Sequence, residues 1–315
     1  MNPLTLVSEA AVAARNHLYD RGTFARRKLS RPVISVGNLS TGGSGKTPFV
    51  ILLGQLLKER GITFDVLSRG YGRERRGTLV VDPDGSARDF GDEPILIAKT
   101  LDCPVIVSES RYEAGVVAES NQKPELHLLD DGFQHRALDR DFDIVLLTPE
   151  DTRDRLLPFG RLREPVSSLG RADAVVITEE LDPRSLPAGK LVWQVRRSLA
   201  IPARASIRRP VVFCGIARPH RFVGQLRRAG VEPVAEKFYR DHHRYTRADI
   251  RYLLELKDRY GADGFVSTQK DAMNLGRNYA LLAPAIFPSV RMELTDPPDA
   301  LDAMFRVINE RRRQA

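Results

Sequence analysis

The sequence predicts an α/β protein: a mostly parallel sheet with helices on both faces, plus a second, smaller α/β domain. Three observations carry this expectation. Short, mostly apolar runs at Val33–Val36, Ile62–Leu67, Val105–Val107, Leu126–Leu129, Ile144–Leu147 and Ala174–Ile177 read as buried strands. The segments between them are long enough for the crossover helices that parallel neighbours require. From Leu191 to about Arg209 the pattern changes to a basic, proline-containing stretch that reads as a hinge, and a second αβ series follows. With 315 residues, 42% hydrophobic and 29% charged, the chain suffices for two cores. The expected units are an N-terminal helix over 1–30, a larger domain over 31–195 and a smaller one over 196–315 that closes a cleft.

At the N-terminus Leu4, Leu6, Val7, Ala10, Ala11, Ala14, Leu18 and Tyr19 fall on one helical face. Arg15, Arg21, Arg26, Arg27, Lys28 and Arg31 accompany them, with Asp20 as countercharge. Such a segment either lies in a membrane interface with its basic residues on anionic headgroups or packs on the protein's own core, and the sequence leaves both open. It lacks the basic region ahead of a compact apolar core that marks a signal peptide. No apolar run reaches the roughly 18 residues of a membrane span.

The strand at Val33 passes through Gly37-Asn38-Leu39-Ser40-Thr41-Gly42-Gly43-Ser44-Gly45 into Lys46-Thr47. Small residues let backbone N–H groups crowd around a polyphosphate, and the following helix turns its positive end toward the anion. Lys46 is placed to neutralise β/γ oxygens and the Thr47 hydroxyl to ligate Mg²⁺, so the sheet is expected to be of P-loop NTPase type. Ser40 stands where the strict pattern has glycine, and a ligand-free glycine-rich turn is the competing reading. Residues 47–60 then carry Phe49, Val50, Leu52, Leu53, Leu56 and Leu57 at helical spacing and stop at Gly61. In the second half the expected elements are strands at Val211–Gly215, Val234–Phe238 and Gly264–Thr268, with helices from about Arg218 to Ala229 and Arg247 to Tyr260.

Charge and cysteines narrow the classes. A formal charge of +8 favours an anionic partner. Cys103 and Cys214 form no Cys-x-x-Cys pair, which argues against a disulfide framework or zinc site and fits a reducing cytoplasm.

Four acidic or basic groups are chemically suggestive. Asp130-Asp131-Gly132-Phe133-Gln134-His135 follows a buried strand, where a Walker-B acid belongs, although a strand-ending Asp-Gly turn has the same letters. Asp92 and Glu93 precede an apolar helix and can divide metal ligation and proton acceptance, or merely favour the helix dipole. Asp241-His242-His243 pairs carboxylate with imidazole for proton transfer, or is a surface pair before a helix. Ser68-Arg69-Gly70-Tyr71-Gly72 and the proline-bounded Leu157–Pro165 loop bring guanidinium groups suited to phosphate, or form turns tied by ion pairs.

Taken together, residues 36–48, 68–72, 91–94, 130–135, 162–165 and 241–243 form an ordered set that resembles the tetraacyldisaccharide 4′-kinase (lipid A 4′-kinase) family. The resemblance runs collinearly over about 30–275, and Ser40 agrees with that family's own glycine-rich signature. It implies transfer of the ATP γ-phosphoryl group to the 4′-hydroxyl of an acylated glucosamine disaccharide 1-phosphate, peripherally at the cytoplasmic face of the inner membrane. It further implies Asp92 as general base assisted by His242, with Asp241 and Lys46 also catalytic. Gly42, Gly43, Ser44, Gly45, Lys46, Thr47, Asp130, Asp131 and Gln134 would hold nucleotide, Thr47, Glu93 and Asp131 would serve Mg²⁺, and Asn38, Arg69 and Arg163 would meet substrate. The implied partners are the lipid substrate and an anionic membrane surface, for a monomer that binds no nucleic acid. Gln269 departs from the family's Thr-Glu-Lys-Asp pattern at 268–271, and the N-terminal segment is less hydrophobic than the family's anchor. Two other classes compete. A regulatory or chaperone-like P-loop ATPase would use water as acceptor and turn over without lipid. A basic nucleic-acid binder lacks a recognisable module, and 7% aromatic residues offer no stacking platform.

Overall fold

The computed structural model describes residues 3–202 and 207–314, with side chains from residue 8 onward. Leu4, Leu6 and Val7 of the expected N-terminal face therefore lie outside the described side chains, as do residues 203–206 of the expected hinge stretch. In chain order the elements are α1 (Pro3–Asp20), β1 (Val33–Asn38), α2 (Lys46–Glu59), β2 (Phe64–Ser68), β3 (Leu79–Val80), α3 (Ala87–Phe90), α4 (Asp92–Leu101), β4 (Val105–Val107), α5 (Arg111–Asn121), β5 (Leu126–Asp130), β6 (Phe142–Leu146), β7 (Ala174–Thr178) and β8 (Leu191–Ala200). There follow β9 (Pro210–Cys214), α6 (Pro219–Arg228), β10 (Ala235–Phe238), α7 (Arg247–Arg259), β11 (Gly264–Val266), α8 (Gln269–Leu275), β12 (Ala285–Ile286), β13 (Ser289–Leu294) and α9 (Pro297–Gln314).

The expected α/β architecture is present. A nine-stranded sheet has the order β13-β8-β7-β6-β1-β5-β2-β4-β3, and a second, four-stranded sheet the order β10-β9-β11-β12. The large sheet is parallel except where β3 pairs with β4 and β13 with β8. β1, β2, β5 and β6 are buried along their whole length, which is why they read as mostly apolar runs, with the polar Ser35, Asp65, His127 and Asp143 buried among them. β1 lies between β5 and β6, so the chain winds outward on both sides of it and the loops at the carboxyl ends of the strands converge there.

The connection after β7 differs from the sequence expectation. Leu191–Ala200 is a ten-residue strand, and β13 returns antiparallel to it, from Ser289 opposite Ala200 to Leu294 opposite Val195. The sheets therefore do not divide at residue 195. α9 also returns to the large sheet, burying Leu301, Met304 and Ile308 in the core that contains Trp193 and Phe142. Arg311 pairs with Asp173 at 2.6 Å, and Arg312 pairs with Asp141 at 2.8 Å and donates to the Ser30 carbonyl at 2.6 Å. The helix is thus fastened to the amino-terminal edge of the sheet.

Unlike α9, α1 buries none of its described side chains: Ala10, Ala11 and Ala14 are exposed. Its second half is tethered by polar contacts, from Asn16 to Glu164 at 2.9 Å and from Arg136 to the Asn16 carbonyl and Asp20 at 2.9 and 2.5 Å. Among the described residues, no helix is long and apolar enough to cross a membrane.

Gly37 marks the tightest packing at the site's floor. A β-carbon there would lie 2.5 Å from the Phe133 β-carbon and 2.8 Å from its backbone nitrogen. Because the second contact is to backbone, the 130–135 segment has to shift if this glycine is replaced. Gly37→Ala is therefore expected to lower the melting temperature by several degrees, a loss of about 1–3 kcal/mol for an overpacked core. A melting curve matching the parent's would show that the segment yields freely.

Candidate active site

The glycine-rich segment ends β1 and opens α2. Gly42, Gly43 and Gly45 have φ of 67°, 74° and 95°, values that side chains with a β-carbon rarely adopt. A β-carbon on Gly42 would also stand 2.6 Å from that of Ala217, so glycine is needed where the loop meets the smaller sheet's connections. No side chain caps α2, leaving its first N–H groups directed at the loop. Ser40 is fully buried, bridges to Leu162 and accepts from Asn38 at 3.3 Å, which explains why the position does not require glycine.

Lys46 reaches Asn38 Oδ1 at 3.0 Å and Asp131 Oδ1 at 3.4 Å. Arg163 grips both oxygens of Asp131 at 2.7 and 2.8 Å and also donates to Asn38 Oδ1 at 2.5 Å. Burial opposes the charge on Asp131, but Lys46 and Arg163 hold its carboxyl far below the ordinary range. Asn38, expected to meet substrate, is instead fully buried with its amide committed to Ser40, Lys46 and Arg163: it orients the two cations. Gln134 donates to the Asn38 carbonyl at 3.0 Å and lines the cleft.

The neighbouring acid differs. Asp130 is buried, donates nothing, and accepts from Ser68 at 3.1 Å through one oxygen, while its Oδ1 has no partner. Burial, Glu93 and Asp131 together push its pKa up to about 7. Thr47 Oγ1 donates to Glu93 Oε1 at 3.1 Å, so the hydroxyl and carboxylate expected to share a metal do meet. Asp131, also named for that metal, does not join them; its oxygens are engaged by Lys46 and Arg163. Among the described residues, no three His, Cys, Asp or Glu side chains form a metal-holding group.

Asp92 opens α4 and is buried, whereas His242 comes from the loop after β10. His242 Nδ1 lies 2.9 and 3.1 Å from the two Asp92 oxygens, so side chains 150 positions apart form one pair. Burial opposes ionisation of Asp92, but the His242 hydrogen bond, Lys270 and Asn274 hold its carboxyl below the ordinary value. Burial likewise works against the imidazolium, yet the bond to Asp92 and the charges of Asp92, Asp241 and Glu93 raise His242 above its usual value. Asp241 is more exposed and stands 3.8 Å from His242 Nε2.

Two hollows flank the loop. One is apolar, lined by Pro48, Ile51, Ile216, Phe222, Pro288 and Val290 beside Gly42–Thr47. The other, of about 1030 Å³, has a basic wall of Arg69, Arg111, Arg161 and Arg163 with Lys46 and His135; Glu93, Glu109, Asp130, Asp131 and Asp241 also line it, and Arg15 of α1 stands at its rim. Arg69 thus lies where expected. Arg111, His135, Lys270 and Asn274 have no counterpart among the sequence-derived site residues. Arg111 had a usable signal, since it follows Ser110 at a helix start, but nothing in the sequence shows that α5 opens onto this cleft.

A family model described as tetraacyldisaccharide-1-P 4′-kinase matches residues 1–309. A tetraacyldisaccharide 4′-kinase from Koribacter versatilis is 51% identical over 99% of each chain. The Aquifex aeolicus relative of that name is 40% identical over 78% of this chain and 82% of its own. A solved structure, the "apo" form of LpxK from Aquifex aeolicus in complex with ATP, superposes with a TM-score of 0.79 at 34% identity, covering 97% of this chain and 98% of that one.

His135 provides a solution test of the basic hollow. Burial, then Arg111, Arg140 and Arg69, depress its pKa to about 4, so the ring stays neutral down to about that pH. Arg111→Ala removes a like charge and is expected to raise the value, though not to the ordinary ~6.5, because burial remains. Imidazole titration by NMR measures both; a parent value near 6.5 would contradict the geometry.

Proposed function

The chain belongs to the tetraacyldisaccharide-1-P 4′-kinase family, and from that premise we propose that it transfers the γ-phosphoryl group of ATP to the 4′-hydroxyl of an acylated glucosamine disaccharide 1-phosphate in lipid A biosynthesis. The observation that carries the reading is the meeting of the phosphate loop, through Thr47 and Glu93, with the Asp92–His242 pair in one cleft. Phosphoryl transfer needs little covalent help from protein; it needs positioned reactants and fixed charge.

Lys46 and the free N–H groups of α2 hold the β- and γ-phosphates, with Gly42, Gly43, Ser44 and Gly45 as the cradle. The Ser44 hydroxyl is buried without a partner, as suits a group awaiting an acceptor. The apolar hollow receives the base. Thr47 and Glu93 supply oxygens for Mg²⁺, and the unpartnered Asp130 Oδ1 beside Glu93 fits the same role, since Mg²⁺ typically takes only one or two carboxylates with the remainder from phosphate and water. When bound, Mg²⁺ neutralises charge on the β- and γ-oxygens. Asp131 keeps Lys46 and Arg163 ordered beneath the phosphates. Asp92, held ionised, accepts the proton of the attacking hydroxyl, and His242 orients its carboxylate through the hydrogen bond between them. Asp241 supports the imidazolium. Arg69, Arg111 and Arg163 suit the anionic end of the substrate.

We assign α1 to the bilayer. Its alanine face is exposed rather than packed on the protein, the basic residues from Arg21 to Arg31 that follow it suit anionic headgroups, and Arg15 places it at the rim of the basic hollow. That arrangement serves a substrate whose acyl chains stay in lipid while its sugar reaches ATP, at the cytoplasmic face of the inner membrane.

Two expected outcomes test the reading. With tetraacylated disaccharide 1-phosphate and radiolabelled ATP, Asp92→Ala should lose about 10²–10⁴-fold in kcat, and Asp92→Ala/His242→Ala should be scarcely worse than the more damaging single variant. Fully multiplicative losses would show that the two do not act as one unit, and turnover independent of lipid would replace the kinase with an ATPase. Separately, deleting residues 1–20 should weaken co-sedimentation with phosphatidylglycerol vesicles, and parent binding should fall as salt rises. Equal partitioning of the two proteins would return α1 to a purely structural role.

A further inference from the structure

Helix α8 approaches the acidic pair from the smaller sheet's side and presents two side chains one helical turn apart. Lys270 Nζ contacts Glu93 Oε1, and Asn274 Nδ2 donates to Asp92 Oδ2 at 3.0 Å. The helix is not free to drift. Thr268 and Asp271 form a reciprocal capping box at its start, and Asp271 is fully buried. Asp271 also accepts from Tyr245 Oη at 2.7 Å and from the Gly215 N–H at 2.8 Å. The Gly215 carbonyl in turn accepts from the His242 N–H at 3.0 Å. One glycine peptide segment therefore ties α8 and His242 into a common frame.

That frame sets the donors around Asp92. Its Oδ1 accepts the Glu93 N–H at 2.9 Å, while Oδ2 receives Asn274 at 3.0 Å and lies 2.9 Å from His242 Nδ1. The Glu93 N–H and His242 already hold this carboxylate; a neutral amide donating to Oδ2 fixes it further without adding a competing base. Lys270 performs the corresponding task for Glu93, neutralising an acid that stands next to Asp92 in sequence and would otherwise repel it.

We propose that Asn274 is a positioning residue for the phosphoryl-acceptor base, and that with Lys270 it makes α8 the element through which the smaller sheet orients the Asp92–Glu93 pair. The proposal rests on the assignment of Asp92 as base, so its test carries an arm for each. Asn274→Ala and Asn274→Leu are compared with Asp92→Ala in the full-length protein by steady-state kinetics with lipid and ATP, alongside thermal melting. Leu keeps the branched, four-heavy-atom shape of Asn without its donor. The expected result is a kcat lower by about tenfold in both Asn274 variants, KM for either substrate within about twofold of the parent, and melting temperatures lower by no more than several degrees, as for one lost hydrogen bond to a charged group. Adding Asn274→Ala to His242→Ala should multiply the loss by less than the single effect, because both act on one carboxylate. The proposal is overturned if Asn274→Leu restores the parent kcat, which would make the role one of packing, or if both Asn274 variants keep full kcat while Asp92→Ala is inactive. An active Asp92→Ala variant would overturn the base assignment itself, and the proposal with it.

Discussion

Asp92, Glu93, Asp130 and Asp131 face one cleft, and their mutual repulsion in a partly dry site is the constraint around which the molecule is organised. Each unpaired buried carboxylate would cost several kcal/mol. Counter-charges come from separate elements: Lys46 from α2, Arg163 from the loop before β7, Lys270 from α8 and His242 from the loop after β10. Asp130 alone lacks such a partner, and it is the acid whose proton affinity is raised. The neutralising set is complete only when both sheets are in place, so folding of the smaller unit and assembly of the site are one event.

That dependence gives the β8–β13 ladder its importance. Had the chain ended in the smaller sheet, a single connection would join the two units. The return of β13 to β8, followed by α9 locked through Arg311 and Arg312 to Asp173 and Asp141, makes the connection double and anchors its far end at the amino-terminal ends of β7 and β6. Further ties cross near the cleft: Arg161 donates to the Thr41 and Ala217 carbonyls at 3.0 and 3.1 Å, Arg218 reaches Asp151 at 3.1 Å, and Arg244 reaches Glu74 at 2.5 Å. All are guanidinium contacts, to carbonyls, to the buried Asp151 or to the exposed Glu74. The exposed ones are individually weak, and so can be exchanged more readily than a hydrophobic seam if the cleft widens for a large lipid headgroup.

The strands of the large sheet were legible because burial on both faces leaves a mostly apolar run, as at Val33–Val36 and Leu126–Leu129. The loop residues Lys46 and Thr47 and the acids at strand ends were legible because phosphate and metal chemistry restricts residue type. β13 and α9 were not, since a strand half exposed at a sheet edge alternates weakly and its partner lies some ninety residues earlier. The same limit applies to function. Lys270 sits in a motif that was noticed, but its meeting with Glu93 spans 177 positions, and Asn274 resembles any polar residue on a short helix. Asn38 shows the converse: the resemblance implied substrate contact, and the fold shows its side chain beneath Lys46 and Arg163, a placement that no local sequence signal carries.

Two residues in the cleft adopt a backbone conformation that their side chains disfavour. Asp131 has φ of 51° and His242 φ of 57°, a region that non-glycine residues enter at a cost of about 1–3 kcal/mol. Asp131 follows the last residue of β5, and a continued strand would carry its carboxylate to the opposite face of the sheet from Lys46. The left-handed turn redirects it into the loop, where the bidentate Arg163 contact offsets the strain. His242 is turned in the same way, so that its N–H meets Gly215 while its ring meets Asp92. Glycine would relieve either backbone but remove the group being aimed. The strain is therefore a consequence of delivering a charged side chain from a fixed strand end, and the ion pairs that balance it are the same ones that neutralise the buried acids.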